Sequence, residues 1–421
     1  MRPRFFYGYV IIALCFANMV VMRGVNGAFG VYYLALLEEF SWSRSDGAIA
    51  SINLIVYAFA SPLVGWAFDR LGPRLLMPLG GALVGIGMLL SSRADSLIGL
   101  YLSFGILVAI GQGALGFGSH NALISYWFVR RRATAMGIAS MGQGMGGLIM
   151  VPATQFLVSI LGWRWAFLVS GAAILLLLTP VNAFLQRRTP DEVGQFPDGD
   201  TASAATLQAR DEKRHTGRHW TVGGALRSFP FWCITIGHLA LGTALFMINT
   251  HAIAHFVAVG YEKLAASFYF GLLGFIRVGA TIFWGALSDR IGRSYAYGIA
   301  IFVTLTGIGC MIAMTYVASV WLVYLTLLLY GIGHSAGNPT YAAMIADNFA
   351  GPKIGLMFGL LEISFGIGSA FGSWIGGYMF DSTGSYTWSL TLCLICFVIS
   401  GVAIGACEQR QSKNELKRNN G

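Results

Sequence analysis

Long unbroken runs of apolar residues alternate along the chain with short polar turns rich in Gly, Pro, Arg and Asp. Each run holds about 20 residues or more, the length at which a helix rising about 1.5 Å per residue crosses about 30 Å of hydrocarbon. Barrel strands would show in–out alternation over about ten residues instead. The pattern predicts helices over residues 6–36, 47–68, 74–92, 97–127, 133–160 and 164–186. A second set follows over 229–258, 264–287, 294–315, 319–346, 353–380 and 386–407. The expected fold class is all-α integral membrane, with 12 transmembrane helices in two six-helix bundles. Between the bundles, residues 187–228 hold Pro190, Pro197, six acids and seven basic residues with almost no apolar periodicity, which predicts a solvated linker. The chain therefore divides into a bundle at 1–186, the linker at 187–228, a bundle at 229–407 and a polar tail at 408–421 expected to be disordered. The first run opens at Phe5 behind Arg2 and Arg4, with no small-residue cleavage pattern near its end, and reads as a retained helix.

The two sets repeat. Gly65-x-x-x-Asp69-Arg70-x-Gly72 recurs as Gly285-x-x-x-Asp289-Arg290-x-Gly292, 220 residues later. Gly111 and Gly113 recur at the same offset as Gly331 and Gly333, and Gly137, Gly146 and Gly162 recur at 222 as Gly359, Gly368 and Gly384. One such coincidence is unremarkable in a chain with 55 glycines, but three in the same order at a near-constant offset indicate internal duplication.

Composition agrees with a membrane solvent. Hydrophobic residues make up 56% of the chain and charged residues 11%, where a soluble domain carries about a quarter charged. The net charge of +9 does not indicate a nucleic-acid partner, because its placement follows the helix ends. The expected cytoplasmic segments hold 21 of the 27 Lys and Arg, the external loops hold Arg44, Arg93, Arg164 and Lys263, and two lie within helices, Arg23 and Arg277. That asymmetry places both termini in the cytoplasm. The six cysteines fall in or beside apolar runs and read as small apolar filler, including the pair Cys393 and Cys396. His251 and His255 are spaced like a metal pair but lack a third ligand, so no metal is expected. No phosphate loop, nucleophile elbow or dinucleotide fingerprint is present, which argues against an enzyme or an ATP-driven pump and for no cofactor.

The stretch Gly65-Trp-Ala-Phe-Asp69-Arg70-Leu-Gly72-Pro73-Arg74 resembles the loop between the second and third helices of major facilitator superfamily proteins. Gly65 permits close helix contact, Asp69 suits helix N-terminal amides, and Arg70 and Arg74 can pair with carboxylates. The resemblance implies a cytoplasmic gate of Gly65, Asp69, Arg70 and Arg74, with Asp289 and Arg290 as its second copy. It also implies two parallel six-helix repeats about an axis along the membrane normal. Within the superfamily the chain is most similar to monocarboxylate transporters. Their fifth-helix signature is matched by Trp127-Phe128-Val-Arg130-Arg131-Arg132-Ala-Thr-Ala135-Met-Gly137-Ile-Ala139-Ser-Met-Gly142, and their connection into the sixth helix by Gly162-Trp163-Arg164-Trp165-Ala166-Phe167. Tyr7-Gly8-Tyr9-Val10 keeps the aromatic core of a further signature, although Arg4 stands where an acid is usual.

Charges at membrane depth cost a few kcal/mol and narrow the candidate chemistry. Arg277 lies 12 residues before Asp289, about 18 Å along the eighth helix. The resemblance makes it the substrate carboxylate anchor, and a guanidinium suits that task because its planar fork binds carboxylate bidentately without losing its proton. The aspartate that lactate carriers place one turn earlier is Leu273 here. Glu362, about ten residues into the eleventh helix, is the candidate proton-coupling group, expected to pair with Arg277 when no substrate is bound. Arg23 lies in the outer third of the first helix as a second cationic candidate, one turn before Gly27, where the resemblance implies a lysine. Asn121, His334 and Tyr341 are expected as polar supplements to the substrate site. These features imply alternating-access transport of small organic monocarboxylates, with protons as co-substrate, by a monomer in a bacterial plasma membrane. Dicarboxylate or organic-anion exchange through Arg23 and Arg277, and a non-transporting membrane sensor, are the alternatives.

Overall fold

The structure, a computed structural model, describes residues 5–40, 49–200, 220–317 and 319–419. Arg2, Arg4, Arg44, His215 and His219 lie outside the described residues. Among the described residues, eleven helices are long and apolar enough to cross a membrane. One of these runs, Arg132–Leu185, holds 54 residues, about 80 Å of helix and enough for two crossings. It breaks at Gly162, whose φ of 78° leaves the helical region. The helices are α1 Gly8–Phe40, α2 Ile49–Leu71, α3 Pro73–Ser91, α4 Leu97–Trp127, α5 132–161, α6 163–185, α7 Phe229–Ala258, α8 Lys263–Ile291, α9 Arg293–Ala313, α10 Val320–Asn348, α11 Ile354–Thr383 and α12 Thr387–Asn419. No strand occurs among the described residues.

The chain forms two compact units. Unit 1 comprises residues 1–219 together with Phe349–Leu360, and unit 2 comprises Trp220–Asn348 and 361–421. Glycines set the closest helix approaches within each, as they do where helices pack in a bilayer without a hydrophobic drive between them. In unit 1 a Cβ on Gly142 or Gly146 of α5 would overlap the carbonyl oxygens of Phe16 or Val20 on α1. In unit 2 a Cβ on Gly368 or Gly372 of α11 would overlap those of Leu239 or Thr243 on α7. Gly146 and Gly368 are the repeat partners noted above, so the duplication extends from motif to packing.

At the end of α1 beyond its apolar span, Glu39 accepts from Trp163 Nε1 and Arg164, and Arg164 also reaches Asp95 at 2.8 Å. The hydrogen bond from Arg164, followed by that from Trp163, holds the Glu39 carboxyl below the ordinary glutamate range. This joint ties the ends of α1, α3 and the α5–α6 corner.

Two polar segments depart from expectation. Residues 186–200 do not behave as a solvated linker: they form two short turns, Pro190–Val193 and Pro197–Gly199, held against the ends of α1, α4 and α5. Their polar side chains satisfy backbone groups of unit 1, an interaction that apolar periodicity does not register. The tail expected to be disordered continues α12 to Asn419. Its sequence contains no Pro or Gly before Gly421 and is rich in Gln, Glu, Lys and Arg, all good helix formers.

Candidate functional site

Helices α4 and α10 are both interrupted, at positions 220 residues apart. α4 breaks after Ala114, with Gly116 extended at ψ −179°, and resumes at Phe117. α10 passes through a tighter turn at His334–Ala336. Interrupted helices at equivalent places in two repeats mark where transporters build their substrate sites, because the break frees polar backbone at membrane depth.

Side chains around each break are incompletely satisfied. In unit 1, Gln112 is 0% exposed and neither end of its amide has a partner among the described residues. His120 donates from Nδ1 to the Gly116 carbonyl at 2.7 Å, which leaves Nε2 as an unpartnered acceptor. Asn121 donates to the Phe117 carbonyl at 2.9 Å and keeps Oδ1 unpartnered. A buried polar atom without a hydrogen bond costs about 1–3 kcal/mol, so such atoms ask for water or a ligand.

In unit 2, Arg277 is half-buried near the middle of α8, and its charge reaches the Tyr330 hydroxyl and the His334 ring on α10. His334 stacks on Tyr330 with ring centroids 4.5 Å apart and planes 9° from parallel. Its Nδ1 donates to the Tyr330 carbonyl at 2.6 Å, so Nε2 carries the lone pair in the neutral ring. The Tyr330 hydroxyl is buried and has no hydrogen-bond partner among the described residues. A fixed cation and an unpartnered phenol that can donate form a polar group suited to a small anion, while the His334 acceptor suits a donor such as a substrate hydroxyl. Tyr330 was not among the sequence-derived candidates, since a tyrosine in an apolar run carries no signal until its hydroxyl is seen unpaired.

The remaining candidates divide. Tyr341 is fully buried, stacked on His238 at 5.0 Å, and its hydroxyl meets Ser400 Oγ at 2.9 Å, so it joins α10 to α12 and has little left to offer a ligand. Glu362 is half-buried on α11, and the expected pair with Arg277 is not formed: Glu362 has no ion pair or hydrogen bond with any described residue. Its neighbour Leu361 takes the inward position, with its carbonyl accepting from His238 Nδ1 at 3.2 Å, and the next residue points about 100° around the helix from it. Arg23 is exposed on α1 and belongs to unit 1.

Among the residues expected to form the gate, Asp69 and Asp289 are bonded and the arginines are not uniformly so. Asp69 accepts from Gly355 N and Leu356 N, both at 2.8 Å, capping the start of α11 with the cations of Arg188 and Lys353 in electrostatic reach. A Cβ on Gly65 would overlap the Gly355 carbonyl. Arg70 lies over the Trp66 ring at 5.4 Å, and Arg74 is exposed. In the second copy, Asp289 pairs at 2.5 Å with Arg293, which also reaches Asp347 at 3.2 Å, while Arg290 is exposed. Arg293 escaped the sequence reading, although its i,i+4 spacing from Asp289 is a legible signal.

Comparison with known proteins bears on this arrangement. A sequence profile described as Major Facilitator Superfamily matches residues 14–302 and 278–420. Monocarboxylate transporter 13 of Rattus norvegicus is 30% identical over 397 residues, covering 94% of this chain and 86% of the relative. Monocarboxylate transporter 11 of Homo sapiens is 29% identical over 404 residues, covering 92% and 80%. Among solved structures, a proton:xylose symporter bound to 6-bromo-6-deoxy-D-glucose superposes with a TM-score of 0.73 at 17% identity, covering 94% of each chain. A human organic anion transporter does so with a TM-score of 0.70 at 17% identity, covering 94% of this chain and all of that one. Identities this low speak to the fold alone.

Proposed function

The chain belongs to the major facilitator superfamily, in its monocarboxylate-transporter-like branch, and from that premise we propose that it carries small organic monocarboxylates by alternating access. The observation that supports this reading is the polar group in unit 2, where the Arg277 charge is within electrostatic reach of the unpartnered Tyr330 hydroxyl and of His334. In this proposal Arg277 binds the carboxylate, Tyr330 donates to it, and His334, Asn121 and Arg23 contribute outside that core. Tyr341 positions α10 rather than touching substrate. Gly65, Asp69, Arg70, Arg74, Asp289 and Arg290 form the cytoplasmic gate. Glu362, a lone carboxyl in an apolar span, is the group proposed to take up the co-transported proton. The membrane is proposed to be the plasma membrane, with both termini in the cytoplasm.

The test is uptake of labelled lactate, pyruvate and oxalate into proteoliposomes. We expect saturable lactate or pyruvate uptake that Arg277→Gln lowers at least about thirtyfold and Arg277→Lys fails to restore, since an ammonium lacks the planar fork. Glu362→Gln is expected to abolish acid-stimulated net uptake while leaving counterflow exchange intact. Undiminished uptake in Arg277→Gln would make that arginine structural, and preference for oxalate would shift the reading to dicarboxylate exchange.

A further inference from the structure

Two helix corners related by the duplication differ in charge. In the first, between α2 and α3, the positive-φ turn at Gly72 is flanked by Arg70 and Arg74, both exposed. The side chain of Arg188 lies across this turn: a Cβ on Gly72 would sit 3.8 Å from Arg188 Cδ. Three arginine side chains thus meet at one turn. Among the described residues, no carboxylate forms an ion pair with Arg70, Arg74 or Arg188. Asp69, the acid of the corner, has both oxygens bonded to the Gly355 and Leu356 amides. Glu192 accepts from the backbone amides of Arg188 and Thr189.

In the second corner, between α8 and α9, Arg290 keeps the place of Arg70, but Ser294 stands at that of Arg74. A Cβ on Gly292 would lie 3.4 Å from Glu408 Oε1, so a carboxylate lies against this glycine as Arg188 lies against Gly72. Arg293 is paired with Asp289 and Asp347. The same turn therefore meets a carboxylate in one repeat and a third cation in the other. A general excess of basic residues on one side of the membrane does not require that difference.

The cationic corner also adjoins hydrocarbon. Trp66, one turn before Arg70, and Leu75 and Leu79, just after Arg74, are exposed within the spans of α2 and α3. Arg70 folds back over the Trp66 ring, 5.4 Å from its centroid. Such a pair suits the membrane interface, where an indole lies at headgroup depth and an arginine stem reaches past it to water. At the second corner Ala286 replaces the tryptophan.

We propose that the α2–α3 corner binds an anionic phospholipid. Its phosphate meets Arg70, Arg74 and Arg188, and its acyl chains lie along Trp66, Leu75 and Leu79. Guanidinium forks pair bidentately with phosphate oxygens, and the apolar wall beside them makes a lipid, rather than free phosphate, the ligand.

Native mass spectrometry of the full chain, titrated with phosphatidylglycerol and with phosphatidylcholine, tests this. Phosphatidylglycerol should bind at least about tenfold more tightly, and Arg70→Gln or Arg74→Gln should each weaken it about fivefold while leaving phosphatidylcholine unchanged. Arg290→Gln, at the second corner, should leave both affinities as they are. A photoreactive phosphatidylglycerol should label residues 63–79 and not 283–299, and this arm uses the unaltered chain, so it stands even where a variant fails to fold. Equal losses in Arg290→Gln and Arg74→Gln would trace the effect to the basic surface at large and overturn the proposal. Labelling spread over both corners, or displacement of the lipid by excess inorganic phosphate, would overturn it too. No readout uses a transported substrate, so failure here is separable from failure of the transport reading.

Discussion

Buried amides illustrate what single residues contribute in this molecule. Asn18 on α1 and Asn182 on α6 exchange hydrogen bonds at 2.8 and 2.7 Å, and Gln186 donates to Asn182 at 2.9 Å. All three are fully buried, so the pair fixes the register of two helices at the cost of needing both partners. Gln112 is equally buried and has no partner at either end. Opposite outcomes are therefore expected from apolar replacement. Asn18→Leu should destabilise the protein by about 1–3 kcal/mol, because two buried hydrogen bonds between α1 and α6 are lost. Gln112→Met should leave the melting temperature in detergent unchanged or higher, since it removes a group that is already unsatisfied. A lowered melting temperature for Gln112→Met would mean that bound water satisfies its amide. Sequence alone does not distinguish these four, as each is an amide in or at the end of an apolar run. Arg277 and Glu362 were legible because a charge in such a run is costly wherever it points.

Helix ends expose a conflict between two rules. Basic residues gather at the helix starts expected on the cytoplasmic side, where they oppose the helix dipole. The structure resolves the conflict by importing acceptors. Asp69 caps α11, whose start follows Lys353; Glu408 accepts from Ser294 N at 2.6 Å beside Arg293 on α9; and Asp198 accepts from Arg130 N in the turn before α5. These acceptors lie far along the chain from the amides they bind, so local capping signatures miss them. Glycine provides the complementary device at the α2–α11 crossing. Gly65 abuts Gly355, and Gly359 abuts the Ser61 carbonyl, with no room for a Cβ. Gly65→Val should separate Asp69 from its two amides and cost about 1–3 kcal/mol by overpacking. Thermal unfolding in detergent should show the loss, with Gly147→Ala, in open space, as the unaffected comparison.

Across the whole molecule, duplication is the organising feature. The 220-residue offset relates the Asp69 and Asp289 motifs, the breaks in α4 and α10, and the positions of Asn121 and Tyr341. Equivalent positions have diverged: Asp69 binds backbone amides while Asp289 binds Arg293, and Asn121 keeps an unpartnered oxygen while Tyr341 is bonded to Ser400. An even number of crossings puts both chain ends on one side. Cysteines introduced at Ser203 and Ser412 should then resist an impermeant maleimide in intact cells and react after lysis, whereas one at Val317 should react in both. Labelling of either of the first two in intact cells would reverse the topology that the basic residues imply.

What the sequence determined by itself was the helical class, the number of crossings to within a residue or two at most boundaries, the duplication and the family. These follow from hydropathy and from local motifs, which depend on residues close together in the chain, and hydrocarbon leaves the backbone few alternatives to helix. Only the tertiary structure decided which deep polar groups are satisfied. It left Glu362 without Arg277, turned Tyr341 into a packing residue, brought Tyr330 into the reach of Arg277 and folded residues 186–200 against the start of α1 and the turn between α4 and α5. Hydrogen-bond satisfaction at depth depends on partners many residues away and on a rotation of about 100° per residue, neither of which a single run of sequence records.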